Sequence, residues 1–310
     1  MLLENMIDLV GNTPLVGIQS FSPNPNVRIW AKLEGQNPTG SVKDRVALAM
    51  IEKAESQGML TPDKILLEPT SGNTGISLAF LAKQKGYRLV CVMPETASKE
   101  RAQMIKMFGG EIVFSKGVEG SNGAIRLAKQ MVEADSKYLM LYQYGNDANP
   151  GAHYDTTGPE ILKDLPGITH FIAGLGTGGT LTGVGKFFRD HKPDVRIIAA
   201  EPEQGDLVYG LRSLDDGFIP PVLDESVLHG KIKVNSNTSV RFTQDLVSKE
   251  GVFAGISCGA TVYVAQKIAG RIESGDIVCL FADGGWKYLS TEIWDIHHDI
   301  AAKRVEYMPW

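Results

Sequence analysis

The sequence predicts an α/β protein of two domains, each a mostly parallel sheet flanked by helices. Three observations predict it. Short apolar runs rich in β-branched residues alternate with longer runs of helical periodicity. The alternation recurs along nearly the whole chain, as repeated βα units require. The chain has 310 residues, 43% of them hydrophobic, enough for a sizeable core and for two lobes.

In chain order, "RIWAKLE" (28–34), "KILLEP" (64–69), "RLVCVMP" (88–94) and "EIVFS" (111–115) read as strands. Between and beside them, "RVALAMIEKAESQG" (45–58), "TGISLAFLAKQKG" (74–86), "SKERAQMIKMFGG" (98–110) and "AIRLAKQMVEADS" (124–136) have helical spacing, and several end in Gly. The pattern resumes with strand "HFIAGLG" (170–176), helix "TLTGVGKFFRD" (180–190), and strands "VRIIAAEP" (195–202) and "DIVCLFADGG" (276–285). The segment "EQGDLVYGLRSLDDGFIPPVLDES" (203–226) breaks the rhythm and reads as a long irregular loop, the kind that carries function. No fixed-period repeat and no low-complexity linker interrupts the chain.

Composition excludes several classes. Net charge is −5, with 31 basic and 36 acidic residues well mixed, so no nucleic-acid partner is expected. No apolar run reaches the ~20 residues of a membrane span, and "MLLENMIDLVGNTP" lacks the form of a signal peptide. Three scattered cysteines (Cys91, Cys258, Cys279) form no CxxC pair, which fits a reducing cytoplasm. No HExxH or similar spacing occurs, and His297 and His298, being adjacent, should face different ways on a helix. No metal site is expected.

Four stretches could carry chemistry. In "NPTGSVKDR" (37–45), Lys43 follows a Gly-Ser step and opens an apolar helix. It reads either as a solvated surface lysine or as an amine whose neutral form is favoured by the helix dipole and by partial burial. The second is what Schiff-base chemistry needs. "EPTSGNTG" (68–75) lies between a strand and a helix. Capping by Thr70 or Ser71 would explain one hydroxyl and one glycine. The whole series of hydroxyls and backbone N–H groups suits a carboxylate or phosphate, such as the α-carboxylate of an amino acid.

"GLGTGGT" (174–180) is a glycine-rich phosphate cup without the lysine of a Walker loop. Gly174, Gly176 and Gly179 approximate G-x-G-x-x-G, and Glu201 follows the next strand, so a dinucleotide reading stays open on this segment alone. In "GISCGAT" (255–261), Ser257 either caps a helix or offers a neutral hydroxyl to a cofactor's ring nitrogen.

Together these stretches resemble the pyridoxal-phosphate β-family of fold type II, the tryptophan synthase β-like fold. Within it they resemble the cysteine synthases. "VGNTPL" (10–15), "NPTGSVKDR", "PTSGNTG", "TTGPEI" (156–161), "AGLGTGGTLTGV" (173–184) and "GISCGA" occur in the family's order over nearly the whole chain. "GYRLVCVMPE", "MLYQYGN", "YGLRSLDDGF" and "ADGGWKYLST" resemble cysteine synthase B, in particular the branch that uses O-phosphoserine and a small thiocarboxylated sulfur-carrier protein.

The resemblance implies a smaller mobile domain over 37–146 and a larger cofactor-binding domain from 1–36 plus 147–310. It implies pyridoxal 5′-phosphate as cofactor, with Lys43 as the Schiff-base lysine and proton acceptor. Asn73 would bond the cofactor's 3′-oxygen, Gly176, Thr177, Gly178, Gly179 and Thr180 its phosphate, and Ser257 its pyridine nitrogen. Thr70, Ser71, Gly72, Thr74 and Gln143 would hold the substrate carboxylate. The implied reaction replaces the β-substituent of O-phosphoserine or O-acetylserine by sulfur, through an α-aminoacrylate, in a cytoplasmic homodimer.

Arg212 bears on the leaving group, since a guanidinium suits a phosphate dianion; the bland alternative is a surface arginine paired with Asp215 or Asp216. Cystathionine β-synthase and serine/threonine dehydratases share the cofactor and loops. Other classes are a binding subunit that docks the C-terminal peptide of serine acetyltransferase, and a nicotinamide oxidoreductase. Cys258 reads as a small buried residue rather than a nucleophile. The tail "AAKRVEYMPW" reads as a disordered end or as a latch over the reacting centre.

Overall fold

A computed structural model describes residues 2–70, 72–97 and 99–306. Among the described residues the strands are β1 (Leu15–Gly17), β2 (Val27–Leu33), β3 (Ile65–Pro69), β4 (Arg88–Pro94), β5 (Glu111–Ser115), β6 (Tyr138–Met140), β7 (His170–Gly174), β8 (Arg196–Pro202), β9 (Gly230–Val234) and β10 (Gly275–Phe281). The chain divides into two compact units. Among the described residues, one comprises Lys43–Asn149 with the N-terminal stretch up to Val10; the other comprises Gly11–Val42 with residues 150–306. Among the described residues, no helix is long and apolar enough to cross a membrane.

The smaller unit holds a four-stranded sheet in the order β5-β4-β3-β6, parallel throughout. Its central strands β3 and β4 read as nearly continuous apolar runs because both their faces are covered. Leu66 points to a core with Val46, Met50, Ile51, Ile76 and Phe80 from the helices Lys43–Ser56 and Asn73–Lys85. Its neighbours Ile65 and Leu67 point the other way, to Ala124 and Ala128 of the helix Gly120–Ala134. Each such side chain contributes roughly 1.5–3 kcal/mol through burial.

The larger unit holds a six-stranded sheet, β1-β2-β10-β7-β8-β9, parallel except for β1 against β2. One face packs on the helix Ile256–Ala269 and the other on Gly179–His191.

The predicted strands and helices all form, with ends shifted by a few residues. The sequence reading missed β1, β6 and β9. β1 and β6 are three residues long, and β9 ("GKIKV") carries two lysines. The irregular segment 203–226 contains only two single-turn 3₁₀ pieces, Leu214–Asp216 and Glu225–Val227.

In each sheet the chain order reverses at one strand. From β3 it steps outward to β4 and β5, then crosses to place β6 on the other side of β3. From β7 it steps to β8 and β9, then returns to place β10 on the other side of β7. Open α/β sheets bind ligands beyond the carboxyl ends of the strands at such reversals.

Candidate active site

In the smaller unit, the reversal is followed by the segments after β3 and β6. Thr70, Gly72 and Asn73 follow β3; Ser71 lies outside the described residues. Gly72 is the N-cap of the helix Asn73–Lys85, and among the described residues no side-chain cap bond is made there. The Thr70 hydroxyl accepts from the Gly72 N–H at 3.3 Å, ahead of the helix; the other candidate cap, Ser71, lies outside the described residues. A helix N-terminus is a place where backbone N–H groups can meet an anion.

After β6, Gln143 is buried and its Oε1 accepts from Thr74 Oγ1 at 2.8 Å, although the two lie 69 residues apart in sequence. That contact turns the amide so that Nε2, a double donor, is the end left to a carboxylate. Lys43 is the first residue of the helix Lys43–Ser56 and is partly buried.

In the larger unit, the loop after β7 is the glycine–threonine cup. Gly178 takes a left-handed conformation (φ 84°) as N-cap of the helix Gly179–His191, again without a side-chain cap. A Cβ at Gly176 would stand 2.8 Å from the Gly210 carbonyl oxygen, so only glycine lets these two backbones meet. Thr177 Oγ1 accepts from Gly179 N–H at 3.3 Å, and Thr180 Oγ1 lies 3.2 Å from His153 Nε2.

The sequence reading assigned His153 no role. It is fully buried, its Nδ1 lies 3.0 Å from Thr157 Oγ1, and it opens a π-helical turn, His153–Thr157. Such turns frequently mark functional sites. Periodicity carries no signal for one.

After β10, Val42 N–H bonds Ala282 O at 2.8 Å and Ser41 bridges Asp283. Ala254 bridges Gly284, and the helix Ile256–Ala269 begins there with Gly255 as N-cap. Ser257 does not cap it. Ser257 is only 5% exposed and stands in the first turn of that helix. A neutral hydroxyl on a nearly buried residue fits a ligand's ring nitrogen.

Arg212 lies beside the cup: its N–H donates to Leu175 O at 2.7 Å, and its guanidinium stacks 4.7 Å from the Phe218 ring. Asp215 is held by Lys233 at 2.8 Å, and Asp216 accepts from Gly205 N–H at 3.3 Å. Glu201, the acid a dinucleotide reading needs, is buried and occupied by Lys233 and the Leu214 N–H. Lys32 is fully buried, but its Nζ is bound by Glu160 at 2.7 Å and Thr13 O at 2.6 Å, which leaves no free amine there.

Two lesser expectations resolve differently. Cys258 is fully buried, and burial, then the charge of Asp283, pushes its thiol up to about 12. It should react with a thiol reagent only after unfolding. Labelling of the native protein at the rate of an exposed thiol would contradict this. His297 and His298 do not diverge. His297 precedes the helix His298–Glu306, so the two rings meet 4.1 Å apart with Asp299 close by, in a cluster that is largely exposed. Of the tail, residues 307–310 lie outside the described residues.

The donor set fits pyridoxal phosphate. The cup supplies backbone N–H groups and two hydroxyls for a dianion, and Ser257 supplies a neutral hydroxyl for a pyridine nitrogen.

Comparison with known proteins agrees. The family model described as "Pyridoxal-phosphate dependent enzyme" matches residues 6–283. A cysteine synthase of Staphylococcus aureus (strain Mu50) is 42% identical over 302 residues, covering 94% of this chain and 97% of that protein. Cysteine synthase B of Salmonella typhimurium (strain LT2) is 40% identical, covering 96% and 98%. The crystal structure of O-ureido-L-serine synthase superimposes with TM-score 0.90 at 39% identity, covering 95% of this chain and 96% of that one. The chain belongs to the pyridoxal-phosphate-dependent enzyme family, within which cysteine synthases match it over nearly its whole length.

Proposed function

We propose that this enzyme makes L-cysteine by replacing the β-substituent of O-phosphoserine with sulfur, taken from a thiocarboxylated carrier protein or from sulfide. The cysteine synthase relatives support the reaction class. Bound pyridoxal phosphate supplies the electron sink that acidifies the amino acid's α-proton and lets the β-substituent leave.

The chain's residues do the rest. Lys43 Nζ would hold the cofactor's aldehyde carbon and would be the base that takes the amino acid's α-proton. Gly176, Thr177, Gly178, Gly179 and Thr180 hold the phosphate, Asn73 the 3′-oxygen and Ser257 the pyridine nitrogen. A serine, unlike an aspartate, does not keep that nitrogen protonated, which favours elimination over transamination. Thr70, Ser71, Gly72, Thr74 and Gln143 hold the α-carboxylate. A cytoplasmic homodimer belongs to the same reading.

The observation that carries the choice of O-phosphoserine is Arg212, tied through Leu175 to the end of the strand that feeds the cup and braced by Phe218. A planar cation so held suits a second phosphate dianion, which an acetyl ester lacks. Arg212→Ala should lower kcat/KM for O-phosphoserine about 100-fold and that for O-acetylserine less than about threefold. Equal losses on both would overturn the choice. Running each acceptor with sulfide and with carrier thiocarboxylate identifies the donor.

A further inference from the structure

Strand β3 reads "ILLEP" and is buried along its whole length, so Glu68 is out of place in it. A carboxylate with no solvent exposure costs free energy unless something uses its charge. Glu68 accepts two backbone N–H groups, Tyr142 N at Oε2 (2.7 Å) and Gln143 N at Oε1 (3.0 Å). These residues begin the turn after β6.

That turn is strained. Tyr142 has φ 55°, a left-handed conformation that costs a non-glycine residue stability and persists only where neighbours impose it. Three side chains impose it. Besides Glu68, Asn146 Nδ2 donates to Leu141 O at 2.9 Å and Asn149 Nδ2 donates to Gln143 O at 2.9 Å. Glu68 reaches the turn from strand β3 and bears on both Tyr142 and Gln143. Thr74 then fixes the Gln143 amide from the helix that β3 leads into.

We propose that Glu68 is a positioning residue for the amino acid's α-carboxylate: it clamps the Tyr142–Gln143 backbone and so aims the Gln143 carboxamide. This rests on the reading of Gln143 as a carboxylate-binding group. Burial pushes Glu68 up to about 7, and the N–H bonds from Gln143 and Tyr142 oppose that shift. The titratable group facing it from the neighbouring strand is the Cys91 thiol, itself held above its ordinary range by burial and by Glu68.

Glu68→Gln keeps the shape but turns an NH₂ towards one of the two backbone donors. Spectral titration of the holoenzyme with O-phosphoserine, and with O-phosphoethanolamine, which lacks the carboxylate, reads the consequence. E68Q should weaken O-phosphoserine about tenfold, leave O-phosphoethanolamine within about twofold, and change kcat little. In a cycle with Gln143→Ala, the double variant should bind O-phosphoserine no more weakly than Q143A alone.

Equal weakening of both ligands, or additive losses in the cycle, would overturn the proposal. Hydrogen exchange of the peptide spanning 138–146 provides a readout independent of activity. Protection at Tyr142 and Gln143 should fall in E68Q, or in Glu68→Asp if E68Q does not fold, while β4 stays protected; unchanged protection would also overturn it. A wild-type enzyme that binds neither ligand would sink the substrate reading, and the exchange measurement would still decide the clamp.

Discussion

Replacing Lys43 by alanine is expected to cut cysteine formation by at least about a thousandfold while the protein stays folded. The helix it opens is held by Val46, Ala47, Met50, Ile51 and Ala54, all buried, and alanine is a good helix former. The loss is chemical. The same amine is assigned two tasks, holding the cofactor and moving the α-proton, and methyl can do neither. Arginine, always protonated, cannot do them either. Steady-state kcat together with far-UV circular dichroism checks both halves. A variant that keeps more than about a tenth of wild-type turnover would remove Lys43 from the mechanism.

The second large effect is expected at Gly178. Its φ of 84° costs an L-residue about 1–2 kcal/mol, and a Cβ there would lie 2.7 Å from Leu223 Cβ and 3.2 Å from Leu223 Cα. A rotamer change cannot clear a backbone atom, so the loop must move. It is the loop whose N–H groups are to hold the phosphate. Gly178→Ala should therefore raise the dissociation constant for pyridoxal phosphate about 100-fold, equivalent to about 2.7 kcal/mol. Gly58→Ala is the control: it has a similar φ of 67° but open space around it, and it should lose stability without losing cofactor affinity. Titration of cofactor-stripped protein by absorbance separates the two. Equal affinity in both variants would detach the cup from cofactor binding.

Much of the architecture was legible because buried parallel strands and amphipathic helices leave opposite periodicities. The longer elements could be placed from the sequence. The three missed strands show where that signal ends. A three-residue strand such as β6 is shorter than two repeats of its own period, and β9 is set by pairing with β8 rather than by composition.

The cup and the two helix starts were visible as glycine and hydroxyl clusters between elements. Their caps were not, because Gly72 and Gly255 cap by backbone geometry alone. Long-range polar contacts left no trace in the chain. Thr74 with Gln143, Thr180 with His153 and Glu68 with Tyr142 each join residues 27 or more apart. Glu68 did carry a hint, as the lone charge in an otherwise apolar strand.

The most direct test is to reduce the purified protein with borohydride and map the labelled peptide. A yellow protein, absorbing near ~410 nm as bound pyridoxal Schiff bases do, should become colourless with the pyridoxyl group fixed to Nζ of Lys43. A protein that takes up no pyridoxal phosphate, or that carries the label on another lysine, would contradict the account.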